Sequence, residues 1–346
     1  MKTLIIKGAP GSPYTRKIIS ICRYRNIPYK FIIGGLFGKG IMNTDHLPSA
    51  KIELLPTVYF INGPNNIEPM IDSTFIIRRL ESIKTKRSII PNTVFTKFLN
   101  YIIEDYADEW LTKATFHYRW TYPEDIQKAG ATLSRWRSLT DTEEQIQSIK
   151  KQIIERQISR LNVVGSSNLT KNIIENSYIR FLKLMSDHMN TSPYIFGKRP
   201  SSSDFSIFGQ LTQLALFDPT PMDIANKIAS RVVAWVGIME DLSGLEVKES
   251  DWVQDTSLSK TLKNIFCEIG RVYIPVLIAN AEAIKNNKNV VNTIIDGEKW
   301  IQKPFPYQLK CLTWLKEEYL KLKENDKEIV KIFLKGTGCE IIFSNI

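Results

Sequence analysis

The order of short apolar segments near the N-terminus constrains the fold more than any other feature of this 346-residue chain. Residues 3–7 are apolar and β-branched, which favours a short buried strand, and the glycines and prolines of residues 8–13 end it. Apolar side chains then recur at helical spacing from Tyr14 until Pro28 stops the pattern. Residues 29–33 are typical of a second strand. The pattern therefore predicts a strand, a helix and a strand.

The next segments add two strands and a helix. After a glycine-rich stretch at residues 34–51, two apolar runs at 54–61 and 67–71 flank a turn at 62–66, which is typical of a hairpin. Asp72 or the serine after it then caps an amphipathic helix. A strand–helix–strand unit followed by a strand–strand–helix unit is the thioredoxin arrangement, a small sheet covered by helices.

Beyond a basic, proline-ended linker at residues 84–92, almost the whole chain has a helical pattern. Helices are predicted at residues 93–120, from a capping box at 140–143 to 161, at 171–188, from about 201 to 214, at 223–242, at 257–286 around Pro275, at 307–322 and at 326–334, with one strand at 290–295 before a turn at 296–297. The sequence thus predicts an α+β chain with domains at 1–84, 93–245 and 246–346.

Composition excludes several classes of function. The net charge of +10 comes from basic residues spread along the chain, so we expect a small acidic ligand to be compatible and nucleic acid to be no partner. The four cysteines form no CxxC pair, and neither a metal site nor a redox dithiol is expected. No apolar run is long enough for a signal peptide or a membrane span. We therefore expect a cytoplasmic protein.

Four short motifs occur in an order that resembles glutathione S-transferases. Residues 11–17, Gly-Ser-Pro-Tyr-Thr-Arg-Lys, resemble the catalytic turn of the serine classes of that family. Residues 55–58 are similar to its cis-proline turn, residues 71–74 to its acidic–serine pair, and residues 200–205 to its helical-domain capping box. The resemblance ends near residue 245, and the C-terminal hundred residues resemble an extension of poorly characterised bacterial members. It implies an all-α glutathione-transferase domain behind the thioredoxin-like one, and a homodimer.

Ser12 is the residue to which the resemblance gives the catalytic role. It would lie near the start of a helix whose dipole favours an anion, and its hydroxyl would donate to the glutathione sulfur. A free thiol has a pKa of about 8.5, so lowering it by one or two units makes thiolate dominant at neutral pH. By itself the serine is equally a plain helix N-cap. No histidine base is evident beside it, which favours a hydrogen-bond donor over a nucleophile.

The resemblance implies that four further residues bind glutathione. A cis Pro56 would direct the Leu55 backbone to the cysteinyl part of glutathione, while Asp72 and Ser73 would bind its γ-glutamyl end. Without a ligand, Pro56 is a strand-start proline and the other two are capping residues. The chain departs from the family where a basic or amide side chain usually precedes the cis-proline. Glu53 stands there and would repel the glycyl carboxylate, and Lys51 would have to reach it from farther away.

Other polar residues have weaker assignments. The second-rank site candidates are Tyr14, Arg16, His117, Arg119 and Trp120; a core or interface role is expected for the first, and the last three would line an electrophile pocket. The carboxylates of residues 104–109 are expected to form a solvated or intrahelically paired face. His46 and His188 have no partner for nucleophilic or metal chemistry. Ser201 and Asp204 are expected to form a structural capping box.

Three functions are open as alternatives. The first is a glutathione transferase, with glutathione as co-substrate, no metal, and a small hydrophobic electrophile attacked in the cleft between the domains. The second is a non-catalytic module with the same fold, in which the extension covers the cleft or docks a partner. The third, disulfide or deglutathionylation chemistry, is disfavoured because Ser12 stands where a cysteine would be required.

Overall fold

The computed structural model of the chain describes residues 2–34, 47–63, 66–136 and 138–343. The N-terminal elements are β1 (Leu4–Gly8), α1 (Pro13–Tyr24), β2 (Tyr29–Ile33), β3 (Thr57–Gly63), β4 (Asn66–Met70) and α2 (Ser73–Ile83). The strands form one sheet in the order β2–β1–β3–β4, with β1 parallel to β2 and antiparallel to β3. This confirms the predicted thioredoxin-like arrangement. His46, most of the glycine-rich stretch and part of the predicted hairpin turn lie outside the described residues.

Buried and less buried side chains alternate along β1, as in a strand whose sheet is covered by helices on one face. Leu4, Ile6 and Gly8 of β1 are buried and the two residues between them, Ile5 and Lys7, are only half-buried, as the period of two in a strand requires. Leu4 and Ile6 join one continuous core with Ile18 of α1 and Ile76 of α2. The two helices therefore cover the sheet and fix the positions of the loops at the ends of its strands.

The middle of the chain is helical throughout, with differences from the prediction in detail. Its elements are α3 (Val94–Tyr106), a π-helical turn (Ala107–Leu111), α4 (Thr112–Thr121), α5 (Pro123–Arg135), α6 (Glu143–Ile158), α7 (Lys171–His188), α8 (Ser202–Leu214), α9 (Pro219–Ile228) and α10 (Ser230–Met239). The predicted single helix at 223–242 is wrong, because Ala229 leaves helical backbone angles and separates α9 from α10. The predicted capping box lies two residues later, between Thr142 and Gln145.

Helix α5 was not predicted, although the sequence holds a signal for it. Pro123 occupies its first turn, where the missing N–H is not needed, and Glu124 and Asp125 follow at the positive end of the helix dipole. These residues directly follow α4, so their pattern merges with that of the preceding helix. The missed helix matters because it forms one wall of the cavity beside Ser12.

The C-terminal part packs on the helical part. It consists of α11 (Lys260–Lys285), β5 (Val291–Ile295), β6 (Glu298–Gln302), α12 (Pro306–Leu320) and α13 (Glu324–Leu334). The three helices and β5 agree with the prediction, whereas β6 was not predicted. Phe98 of α3 contacts Tyr319 of α12 at 5.8 Å between ring centroids, and Trp110 contacts Trp300 of β6 at 5.4 Å. The fold is α+β, with a thioredoxin-like N-terminal region and a mostly helical remainder. We keep 1–84, 93–245 and 246–346 as proposed domain limits.

Helix α8 anchors the turn that precedes α1. A capping box of Ser201 and Asp204 begins α8, as predicted, with the Asp204 carboxylate 2.9 Å from the Ser201 amide. Gly209 then lies under the start of α1, where a Cβ would come within 2.5 Å of the Pro13 carbonyl oxygen. Only glycine permits this close approach. The helical part therefore holds the Ser12 turn from below.

Among the described residues, no helix is both long and apolar enough to cross a membrane.

Candidate active site

Ser12 lies at the N-terminus of α1, next to the turn that contains Pro56. Its hydroxyl accepts a hydrogen bond from the Thr15 amide at 3.2 Å and donates to the Leu55 carbonyl at 3.5 Å. The Leu55–Pro56 peptide bond is cis, as expected from the resemblance. The fold thus brings together two motifs that are 43 residues apart. The hydroxyl caps the helix, and the long contact to Leu55 leaves it able to turn towards another acceptor.

A cavity of about 560 Å³ opens beside Ser12, between the N-terminal sheet and helices α4–α6. Of the residues considered from the sequence, it is lined by Ser12, Tyr14, Glu53, Leu55, Arg119 and Trp120. Its other walls are largely apolar, with Phe116, Leu133, Trp136, Ile149 and Ile153. The Trp136 ring lies so close to Gly11 that a Cβ there would come within 2.5 Å of it. An apolar cavity with a few convergent polar groups is the usual form of a small-molecule site.

Arg119 holds the Ser12 turn against the helical part. Its guanidinium donates to the Asp218 carboxylate at 2.8–3.0 Å and to the Gly11 carbonyl at 3.0 Å. Burial raises the pKa of Asp218, and the charge of Arg119 opposes this rise. The side chain is thus fully engaged in a buried ion pair, and it positions the turn while forming part of the cavity wall.

Asp72 and Ser73 lie at the other end of the predicted site and do not line the cavity. Asp72 has a left-handed backbone, with φ of 73°, and its Oδ1 accepts from the Thr74 amide at 3.1 Å. Its Oδ2 accepts from the hydroxyl of Tyr307 at 2.7 Å. The Ser73 hydroxyl accepts from the Lys17 ammonium at 3.1 Å. Asp72 is thus the N-cap of α2 and Ser73 its first residue, and both have partners from distant parts of the chain.

Beneath Ser73 lies a cluster of buried charges centred on Lys17. Its Nζ is 2.6 Å from Asp108 Oδ2 and 3.3 Å from Glu104 Oε1. The expectation of a solvated acidic face is therefore wrong. The physical reason is that α3 and the π-helical turn face both α1 and the C-terminal part, so that their carboxylates meet a buried lysine instead of water.

Burial shifts the pKa values of this cluster in both directions. It raises the pKa of Asp108 to about 6 and that of Asp105 to about 7, although Lys17 opposes the first rise and the Tyr273 hydroxyl the second. Burial would also raise the pKa of Glu104, but the charges of Lys17 and Arg78 outweigh it and hold that pKa below its usual value. The cluster therefore carries negative charge beside Asp72, which favours a cation there.

The C-terminal part contributes two residues that sequence reasoning missed. Tyr307 contacts Asp72, and Gln308 Nε2 lies 3.4 Å from Glu109 Oε2. Asn280 of α11 fixes the backbone just before them, accepting from the Phe305 amide at 2.7 Å and donating to the Phe305 carbonyl at 3.0 Å. No local signal could have found Tyr307, because it lies 235 residues from its partner in sequence.

Tyr14 and Arg16 have contacts within the chain. The Tyr14 hydroxyl donates to the Asp108 carbonyl at 2.7 Å, which is the predicted interface role, although its ring also borders the cavity. Arg16 forms an ion pair with Glu240 after the end of α10. It lies outside the cavity lining and ties α1 to the helical part.

The structure places two further candidates away from the cavity. His117 is buried, with its ring nitrogens 2.7 Å from Ser166 Oγ and 3.0 Å from Glu175 Oε1. Lys51 is exposed and is not part of the lining. In the part of the chain that the structure describes, no group of three or more His, Cys, Asp or Glu residues is arranged to hold a metal ion.

Comparison with known proteins gives one match in sequence. Residues 7–88 match the family model described as glutathione S-transferase, N-terminal domain. No curated protein sequence matches the chain significantly.

Solved structures show weak likeness over a larger part of the chain. A GST-like protein from Pseudomonas syringae is 15% identical, covers 69% of this chain and 67% of its own, and has a TM-score of 0.42. A glutathione S-transferase from Rhodospirillum rubrum F11 is 14% identical over 72% of this chain and 96% of its own, with a TM-score of 0.44. A glutathione transferase family member from Pseudomonas fluorescens pf-5, solved with two glutathione molecules bound, is 12% identical over 69% and 92%, with a TM-score of 0.41.

The matched residues include the end of β1, the Ser12 turn, the cis-proline, β3, β4 and α2. The sequence likeness is therefore to the N-terminal domain of glutathione S-transferases, over residues 7–88 of this chain.

Proposed function

We propose that this protein binds glutathione and transfers its thiolate to a small electrophile in the cavity beside Ser12. The observation that carries the proposal is the position of the Ser12 hydroxyl, at a helix N-terminus, on the wall of a cavity, and 3.5 Å from the Leu55 carbonyl. A hydroxyl in this position donates to a thiolate, and the helix dipole adds to the stabilisation.

Glutathione would lie along the turn from Leu55 to Asp72. The Leu55 backbone pairs with its cysteinyl part, as an added strand would. Its γ-glutamyl ammonium lies near Asp72, where the buried carboxylates favour positive charge, and its carboxylate lies near Ser73 and the N-terminus of α2. Lys51 meets its glycyl carboxylate. In this placement Glu53, which borders the cavity, weakens binding at the glycyl end.

With a chloronitroaromatic acceptor the reaction is a substitution. The thiol proton goes to water, and Ser12 stabilises the thiolate that remains. The sulfur then forms a bond to the ring carbon, the carbon–chlorine bond breaks, and chloride leaves with the bonding electrons. Apolar walls around the acceptor exclude water and strengthen the hydrogen bond from Ser12.

The test is Ser12→Ala, assayed for glutathione binding by calorimetry and for turnover of 1-chloro-2,4-dinitrobenzene. We expect kcat to fall by about 10²-fold, the size typical of losing one donor to an anion. The pKa in the profile of kcat/KM against pH should rise towards the value of a free thiol, about 8.5. If the wild type neither binds glutathione nor turns over the acceptor, the proposal is wrong.

Ser259 offers a matched control. It caps α11, its hydroxyl accepts from the Leu262 amide at 3.1 Å, and it lies outside the cavity lining. Ser259→Ala therefore removes the same kind of cap and costs about 1 kcal/mol of stability, as Ser12→Ala does. Because only Ser12 borders the cavity, activity should fall in one variant and not in the other.

One observation favours a second candidate, a non-catalytic module that binds without turnover. Tyr307 and Lys17 already form hydrogen bonds with the side chains of Asp72 and Ser73. The proposed binding site for the γ-glutamyl group is therefore partly filled by the chain itself. Glutathione binding without turnover of any acceptor, and without an effect of Ser12→Ala on affinity, would support this candidate against the transferase.

The proposal includes a homodimer, which the family resemblance implies, and a cytoplasmic location, which the composition predicts. Light scattering on the purified protein tests the first. A mass near the 39.8 kDa of one chain would contradict it.

A further inference from the structure

Two arginines lie on one wall of the cavity. Arg156 is on the last turns of α6 and Arg160 follows one turn later, just beyond the end of the helix. Both side chains line the cavity that Ser12 borders. The proposed transfer reaction assigns no role to these two arginines.

The charged side chains around the cavity are unequally compensated. The lining holds four of them, Glu53, Arg119, Arg156 and Arg160. Arg119 is neutralised by Asp218 at 2.8 Å. Arg160 forms no ion pair with any residue that the structure describes. The α6 wall is therefore positive, while Glu53 lies on the wall formed by the cis-proline turn.

The two guanidinium groups also act on each other. Burial lowers the pKa of Arg156, and the positive charge of Arg160 lowers it further. Two like charges held close together at the edge of an apolar cavity are stabilised when an anion binds between them. A guanidinium is suited to this because its planar set of donors matches a carboxylate or sulfonate.

The other lining residues indicate the chemistry of the uncharged part of the ligand. Phe116 and Trp136 present aromatic surfaces, and Ile149 and Ile153 lie on the same helix as Arg156. A ligand that fills this space has an apolar, preferably aromatic body, with its negative group directed to the end of α6. An uncharged electrophile would fill the apolar part and leave the Arg160 guanidinium without an ion pair among the described residues.

We propose that the cavity is specific for an anionic electrophile, an aromatic or aliphatic acceptor that carries a carboxylate or sulfonate, and that Arg156 and Arg160 bind this group. The identification of the ligand as an electrophile rests on the proposed transferase function. The anion site itself does not, because it depends only on the arginines and the apolar walls.

The first experiment measures binding without turnover. Wild type, Arg160→Gln and the double variant Arg156→Gln/Arg160→Gln are titrated with the anionic probe 8-anilinonaphthalene-1-sulfonate and the uncharged N-phenyl-1-naphthylamine, followed by fluorescence. We expect the double variant to bind the anionic probe about tenfold more weakly, and the uncharged probe with unchanged affinity, as the loss of a charged hydrogen bond requires. Equal losses for both probes, or none for either, would overturn the proposal.

Lys151→Gln is the matched control. It removes a positive charge from the same helix, but Lys151 is exposed and lies outside the cavity lining. If this variant weakens the anionic probe as much as the double variant does, the effect comes from overall charge, and the anion site is wrong.

The second experiment separates the electrophile from glutathione, which also carries carboxylates. Turnover of 4-chloro-3,5-dinitrobenzoate is compared with that of uncharged 1-chloro-2,4-dinitrobenzene. We expect the double variant to raise KM for the benzoate about tenfold and to leave KM for glutathione unchanged. A rise in KM for glutathione instead would assign the arginines to glutathione and overturn the proposal. Selective binding of the anionic probe without turnover of either acceptor would support the anion site and contradict the transferase function.

Discussion

At its Ser12 end the candidate site borders an open cavity and is held by backbone groups, whereas at its Asp72 end it is filled by side chains from three distant segments. Among the described residues, the Ser12 hydroxyl forms hydrogen bonds only with the Thr15 amide and the Leu55 carbonyl, and the second is long, at 3.5 Å. The Asp72 carboxylate accepts a hydrogen bond of 2.7 Å from the hydroxyl of Tyr307, which belongs to the C-terminal part. One end is therefore ready to exchange a partner, and the other is preorganised.

The difference also concerns charge. The Ser12 end borders apolar walls and the two arginines at the C-terminal end of α6, which suit a thiolate and an anionic acceptor. The Asp72 end lies above buried carboxylates that Lys17 only partly neutralises, which suits an ammonium group. Glutathione carries both a thiol and an ammonium group, so the polarity of the site agrees with the proposed orientation of this ligand.

The strongest test of the preorganised end is Lys17→Met. Removing this fully buried ammonium leaves Asp108 without its counter-charge and Glu104 with Arg78 alone, and we expect a loss of about 3–5 kcal/mol in the free energy of unfolding, measured in urea. Adding Asp108→Asn to this variant should restore part of the loss. The exposed Lys30→Met in β2 is the control, expected within about 0.5 kcal/mol of wild type. Equal stability of the two single variants would show that the buried cluster does not hold this end.

A second test uses pH. Because the pKa of Asp105 is raised to about 7, the folded state holds a proton that the unfolded state releases near pH 4. The stability due to this group is thus greatest at low pH and falls as pH rises towards 7. Asp105→Asn should remove this dependence. From pH 5 to pH 8, the free energy of unfolding of the variant should fall by about 2 kcal/mol less than that of the wild type, measured by urea unfolding.

The exposed Asp187→Asn serves as the control for the pH series. Its stability should follow that of the wild type at every pH. Parallel curves for all three proteins would contradict the assignment of the pH dependence to Asp105.

The smallest effect is expected for Tyr307→Phe, which removes one hydroxyl from Asp72. We expect a loss of about 1 kcal/mol of stability and about threefold weaker glutathione binding by calorimetry, because the carboxylate loses one of the two contacts that fix it. Tyr319→Phe is a matched control, since the Tyr319 hydroxyl in the same helix has no hydrogen-bond partner among the described residues. Tighter glutathione binding in Tyr307→Phe would mean that the contact blocks the site.

The two ends differ as well in how far sequence could predict them. The strand order, the turn before α1, the cis-proline and the capping box of Ser201 and Asp204 were all predicted, and the structure agrees. Each depends on residues close together in sequence, such as a serine before a proline at a helix start. Even there, α5 was missed because its pattern merges with that of α4, in spite of the signal at Pro123. One helix was predicted where α9 and α10 stand, because a helix break at a residue such as Ala229 has no distinct composition.

What the sequence determined by itself is the framework, because strand alternation, helix periodicity and capping act over a few residues. Only the tertiary structure decided that Glu104 and Asp108 are buried against Lys17, that Tyr307 reaches Asp72, and that Arg156 and Arg160 line the cavity with Ser12. A charged side chain has the same pattern in sequence whether it faces water or a buried partner. Its role depends on which distant helix packs against it, since only packing removes the water that would otherwise screen its charge.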